Sequence, residues 1–250
     1  KERIDYFVSR EKPIHAIILG FPFKMPVPIK TDRTLPDMGE VLILHRLFTL
    51  TELVKKIYPP GLRVQVFTEG SFASFTGLSA KEADAYRDRV AELVHLLGYD
   101  GTLYITDLKD VEQMIPNFSA RYMENTEKMK VAYAAGDPRA TEQYRGYYPS
   151  ISRIVSSRGY EEEDLMDAYN EELADAQISE KVRTIRVDIK KRAHEAVFRY
   201  HAYHKTRNDS GIMDRVAPQT LYLTVAPKPG RLGIYPIAKE VVRLPYHGVP

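Results

Sequence analysis

The run Ile14 to Leu19 is short and almost continuously apolar, and it ends in Gly20-Phe21-Pro22-Phe23. Such a run is too short for a packed helix and lacks polar alternation. It reads as a strand covered on both faces, the usual condition of a parallel sheet. Leu62 to Thr68 and Thr102 to Leu108 read as further strands. Two capped helices separate the three. Asp37-Met38-Gly39-Glu40 forms a capping box ahead of a stripe of Ile43, Leu47, Leu50, Val54 and Ile57, stopped by Pro59-Pro60-Gly61. Ser79-Ala80-Lys81-Glu82 is a second box, followed by Ala83, Tyr86, Val90, Leu93 and Leu97, and ended at Gly98. Strand, helix, strand, helix, strand predicts an α/β chain with a Rossmann-like, mainly parallel sheet and flanking helices.

The rest of the chain extends this core. From Pro116 to about Gly159 the sequence is polar, rich in Tyr and helical in pieces, with helix starts expected at Asp137-Pro138 and at Ser150. Glu161 to Asp164 suits the first turn of another helix. A long helix is expected from Ser179 to about Lys205, with Val182, Ile185, Ile189, Ala193, Ala196, Tyr200 and Tyr203 as its apolar stripe. Thr220 to Val225 and Leu232 to Ile237 read as two late strands in a hairpin-like pair. We expect a single domain: a parallel core over 1–115, a mostly helical insertion over 116–205, and late strands over 206–250 completing the sheet.

Composition narrows the chemistry. The 250 residues carry 36 Lys plus Arg against 34 Asp plus Glu, a net charge of +2, so no global field recruits nucleic acid or anionic lipid. There is no Cys, which removes thiolate nucleophiles, zinc-thiolate sites and iron–sulfur clusters. No apolar run approaches the ~20 residues that span a bilayer. Lys1-Glu2-Arg3-Ile4-Asp5 lacks the apolar core of a signal peptide, and the cytoplasm is the expected compartment. The first residue is not Met, so further residues are expected to precede it.

Parallel sheets bind ligands outside the carboxyl ends of their strands. Lys24 follows the first strand, with Lys30 and Arg33 behind it. Glu69, Gly70 and Ser71 follow the second strand, and Asp107 ends the third. Asp37 and Glu40 open the first helix. A lysine and several carboxylates on one edge suit an anionic substrate and proton transfer. The competing reading makes Lys24 and Glu69 solvated loop charges, and Asp37, Glu40 and Asp107 helix caps. Gly70, having no side chain, would let a ligand approach the backbone. No P-loop, dinucleotide fingerprint or nucleophile elbow occurs. His201 and His204 share a helical face without an evident third ligand, and no metal is expected. Arg183, Arg186, Lys190, Lys191 and Arg192 read as a solvated basic face.

Gly20-Phe21-Pro22-Phe23-Lys24, Leu35 to Glu40, Ile57 to Gly61, Thr68 to Phe72 and Gly77 occur in an order and spacing that resembles the isonitrile synthase and dityrosine-biosynthesis family. Pro245-Tyr246-His247 resembles that family's Pro-Trp-His ending. The resemblance implies a Rossmann-like enzyme without metal, nicotinamide or other cofactor. It implies an aromatic amino acid, Tyr or Trp, and ribulose 5-phosphate as substrates, with the amine condensing on the sugar ketone before carbon–carbon cleavage. It also implies a downstream tailoring enzyme as partner. On this reading Lys24 and Glu69 are catalytic, Lys24 as cation and Glu69 as acid/base where the family has Asp. Asp37, Glu40, Lys30, Arg33, Ser71, Tyr203, Tyr222, Arg231 and His247 would bind substrate. The sequence departs from the family at Met25-Pro26-Val27-Pro28 and at Tyr222 to Pro227, where Tyr222 and Ala226 stand in place of an Arg and a His. Arg231 is a candidate to compensate. An N-formyl or cyclised product, or a binding module without catalysis, are the alternatives.

Overall fold

The computed structural model describes residues 1–21, 35–72, 75, 79–155, 160, 168, 179–224 and 232–233. Among the described residues, five strands form one sheet: β1 (Ile14–Phe21), β2 (Leu62–Thr68), β3 (Leu103–Asp107), β4 (Leu221–Thr224) and β5 (Leu232–Gly233). Their order is β3-β2-β1-β4-β5, and every neighbouring pair is parallel. The α/β class and the three leading strands are as expected. Ala16, Ile18, Val64 and Val66 point into one core, and Ile17 and Phe67 into a second core on the other face. Two buried faces explain why β1 reads as an unbroken apolar run rather than an alternating one.

The helices whose bounds fall among the described residues are α1 (Glu2–Val8), α2 (Met38–Ile57), α3 (Ala80–Leu96), α4 (Leu108–Glu112), α5 (Phe118–Ala134), α6 (Pro138–Val155), α7 (Glu180–Asp209) and α8 (Ile212–Val216). Both capping boxes form. Asp37 accepts from the Gly39 amide at 2.8 Å, and Glu40 accepts from the Asp37 amide at 2.7 Å. Ser79 and Glu82 repeat the arrangement at α3. The buried face of α2 runs through Leu44, Leu47 and Thr51, while Ile57, expected in the stripe, faces solvent. Each buried Leu there contributes about 1.5–3 kcal/mol relative to exposure.

Two expectations fail. The late strands are not a hairpin: β4 and β5 are parallel, with Leu223 beside Leu232 and Thr224 beside Gly233. Ala226-Pro227-Lys228-Pro229-Gly230 reads as turn chemistry in the sequence, whereas strands of a hairpin pair antiparallel. Ser150 does not start a helix, because α6 runs through it with Pro149 inside. Packing outweighs the proline penalty there: Ile151 and Val155 are buried in the main core, with Tyr144, Tyr147 and Tyr148 against it. The long helix α7 has the predicted stripe but continues four residues past Lys205, to Asp209. That extension buries Thr206 and Arg207. Lys24, Lys30, Arg33, Arg231, His247 and the expected helix start at 161–164 lie outside the described residues.

Candidate active site

The parallel register sets Thr68 beside Asp107 where β2 and β3 end. Asp107 is fully buried and takes three donors: the Thr68 hydroxyl at 2.9 Å, the Gly70 amide at 3.2 Å and the Lys109 amide at 2.9 Å. The last of these caps α4. A carboxylate can stay buried only with such partners. A Cβ on Gly70 would fall 2.4 Å from Asp107 Oδ2. The open space at Gly70 is therefore filled by the protein's own carboxylate, not left for a ligand as the sequence suggested. Asp107 takes the capping role that was its alternative reading.

One turn further on, Glu112 of α4 is 5% exposed. It accepts from the Ser71 hydroxyl at 2.5 Å and from the Tyr203 hydroxyl. Burial pushes its pKa up, opposed in part by those two donors and by the charge of Arg207. The same burial, with Glu112 alongside, holds the Tyr203 hydroxyl well above the usual phenol range. Ser71, Glu112 and Tyr203 thus tie the β2 loop, the short helix after β3 and the long helix α7 into one polar unit.

Arg207 lies next to this unit, one turn beyond Tyr203 on α7. Its guanidinium stands over the Tyr203 ring at 5.3 Å. Its Nη2 donates to His204 Nδ1 at 2.8 Å. An arginine cannot accept, so Nδ1 of a neutral His204 carries no proton and Nε2 carries it. Glu69 Oε1 is 3.9 Å from Arg207 Nη1, and the two side chains are 14% and 4% exposed. Aromatic rings surround the unit. Phe75 and Phe118 meet Tyr203 edge-on, and Tyr122 stacks on both. Burial raises the Tyr122 pKa to about 12. Tyr200 meets His204 edge-on.

A cleft of about 400 Å³ opens beside these rings, sharing Phe75 and lined by Lys191, Arg192, Arg199, Asp188 and Glu195 of α7. That size suits a small-molecule ligand. The basic residues of α7 do not form one positive stripe. Arg192 pairs with Asp188, Arg199 with Glu195, and Arg183 with Glu180.

Of the residues singled out from sequence, Glu69, Ser71 and Tyr203 come together here. Asp37 and Glu40 sit at the start of α2, where Glu40 is buried and accepts the Tyr86 hydroxyl at 3.1 Å. Tyr222 lies on β4, its hydroxyl 3.4 Å from Asp214 and its ring under the Arg3 guanidinium. No group of three or more metal-ligating side chains occurs among the described residues. The sequence reading missed Glu112 and Arg207 and considered His204 only for a metal. Carrying the α7 stripe one turn past Tyr203 would have put Arg207 on the buried face.

Residues 4–216 match the family model for Pyoverdine/dityrosine biosynthesis protein. The chain is 24% identical over 231 residues to L-tryptophan isonitrile synthase AmbI2 of Fischerella ambigua (strain UTEX 1903), covering 91% of the chain and 63% of that protein. It is 28% identical over 145 residues to the L-tyrosine isonitrile synthase of Xenorhabdus nematophila, covering 57% of the chain and 41% of that protein. The crystal structure of the PvcA protein from Pseudomonas aeruginosa superposes with a TM-score of 0.67 at 21% identity, over 99% of this chain and 77% of that one. The chain therefore spans less than two thirds of the length of either synthase.

Proposed function

The chain belongs to the pyoverdine/dityrosine biosynthesis family, and from that premise we propose that it is an enzyme that converts the α-amine of an aromatic amino acid, Tyr or Trp, into an isonitrile. The observation that carries this reading is the buried group at the carboxyl edge of the sheet. Glu69, Glu112, Arg207 and His204 lie there among Tyr203, Phe75, Phe118 and Tyr122. The rings suit an aromatic side chain, and the carboxylates suit proton transfer at carbon. The carbon donor is ribulose 5-phosphate. The amine attacks its ketone, water leaves, and the imine is enolised by removal of a proton from the adjacent carbon. Cleavage of both carbon–carbon bonds to that former ketone carbon then leaves it alone on nitrogen: one sugar fragment departs as an aldehyde and leaves its bonding pair behind, and the other carries its pair away and takes up a proton. Glu69 is the base and Lys24 the cation that holds phosphate or polarises the carbonyl. The reaction runs in the cytoplasm without a cofactor, and a tailoring enzyme consumes the product.

Mass spectrometry of the purified chain incubated with Tyr, Trp and a panel of sugar phosphates tests this. The expected product has gained one carbon on nitrogen and lost both amine hydrogens. Labelled carbon supplied in ribulose 5-phosphate should appear in it. An N-formyl product would assign the reaction to another branch of the same chemistry, and unchanged substrates throughout would refute the reading.

A further inference from the structure

Arg207 carries a guanidinium, a donor of five N–H bonds with no acceptor of its own, and its side chain is only 4% exposed. One of its nitrogens is used on His204. Among the described residues, Nε and Nη1 are buried and meet no hydrogen-bond acceptor. The carboxylate paired with it, Glu69, stands 3.9 Å from Nη1, beyond hydrogen-bond reach. The other carboxylate of the cluster, Glu112, is held by the Ser71 and Tyr203 hydroxyls. Orphaned donors on a buried charge are costly, and a fold keeps them where an acceptor arrives from outside. Glu69 is the more exposed of the two and lies in the loop after β2, whereas Arg207 is held on the buried face of α7.

We propose that Arg207 is an oxyanion-binding residue and that Glu69 is its resident stand-in. The anionic group of a substrate takes the guanidinium, and Glu69, displaced from it, is released to act as a base. The inference rests on the proposed function only for the identity of that group. The α-carboxylate of the amino acid and the phosphate of the sugar share the required chemistry, and either makes the charge-assisted hydrogen bonds that Arg207 lacks.

Titration calorimetry on the purified chain tests this with single ligands, so that no turnover occurs. The ligands are inorganic phosphate, L-tyrosine, and tyramine, which has the ring and amine of tyrosine but no carboxylate. Glu69→Gln removes the competing charge and should tighten binding of the oxyanion about tenfold, the scale of one charge-assisted contact. Arg207→Leu should abolish that binding. Tyramine, a cation, should show the opposite response: no gain of affinity in Glu69→Gln and no loss in Arg207→Leu. An effect confined to phosphate assigns the sugar, and one confined to tyrosine assigns the amino-acid carboxylate. Unchanged or weaker affinity for both anions in Glu69→Gln overturns the inference, as does wild-type affinity in folded Arg207→Leu. If Arg207→Leu does not fold, the Glu69→Gln titration decides alone. Anion binding that follows this pattern without any isonitrile formed would refute the reaction and leave the anion site standing.

Discussion

Asp107 and Gly70 show how closely single residues are fitted at the carboxyl edge. The Asp107 carboxylate occupies the volume a Gly70 side chain would need, with three donors fixing it in place. Gly70→Ala must push it away and should destabilise the fold by about 1–3 kcal/mol, measured by urea denaturation. Wild-type stability would mean the carboxylate relaxes freely. Glu112 offers a test by pH. Its pKa is raised in the folded chain, so the folded state holds its proton more tightly than the unfolded state. That contribution to stability is fully present below the unfolded carboxyl value of 4.5 and is lost as pH rises through the folded value. Glu112→Gln should therefore flatten the decline in melting temperature with pH above that point. An unaltered slope would show that other groups set it.

The elements were legible to different degrees, for physical reasons. Strands β1 to β3 and the starts of α2 and α3 follow from local rules, since apolar runs and capping boxes act over a few residues. Ser79→Ala removes an acceptor for the Glu82 amide on an exposed helix end, and should cost about 1 kcal/mol in chemical denaturation. No measurable loss would leave the box ornamental. The failures come where distant packing decides. Pro149 sits inside α6 because Ile151 and Val155 fill the core, and β5 lies parallel to β4 despite the turn-like residues between them. The site divides the same way. Glu69, Ser71 and Tyr203 could be named from strand ends and a helical stripe. Glu112 and Arg207 are ordinary charged residues in sequence, and only the meeting of α4, α7 and the β2 loop shows that they are buried together.

At the scale of the whole molecule, a parallel sheet sends its strand ends to two edges with different duties, chemistry at the carboxyl edge and stability at the other. The motif segment Ile57 to Gly61 illustrates the second duty. Tyr58 precedes β2, and its hydroxyl donates to the Lys12 carbonyl at 2.9 Å and the Phe7 carbonyl at 3.3 Å, tying α1 to the amino edge. Tyr58→Phe should lower stability by about 0.5–1.5 kcal/mol, the net worth of such a hydrogen bond, and leave turnover intact. Glu69→Gln, at the opposite edge, should lower turnover by a factor on the order of 10²–10⁴, as expected for loss of a general acid/base. Lys24→Met, at the position three residues past β1 in the sequence, should do likewise. The double variant should lose far less than the product of the two, because groups that act on one step are not additive. Paired measurements of product formation and melting temperature on the variants decide this. Near-normal turnover in folded Glu69→Gln would remove Glu69 from the chemistry. A large loss of turnover in Tyr58→Phe would remove the division of labour between the edges.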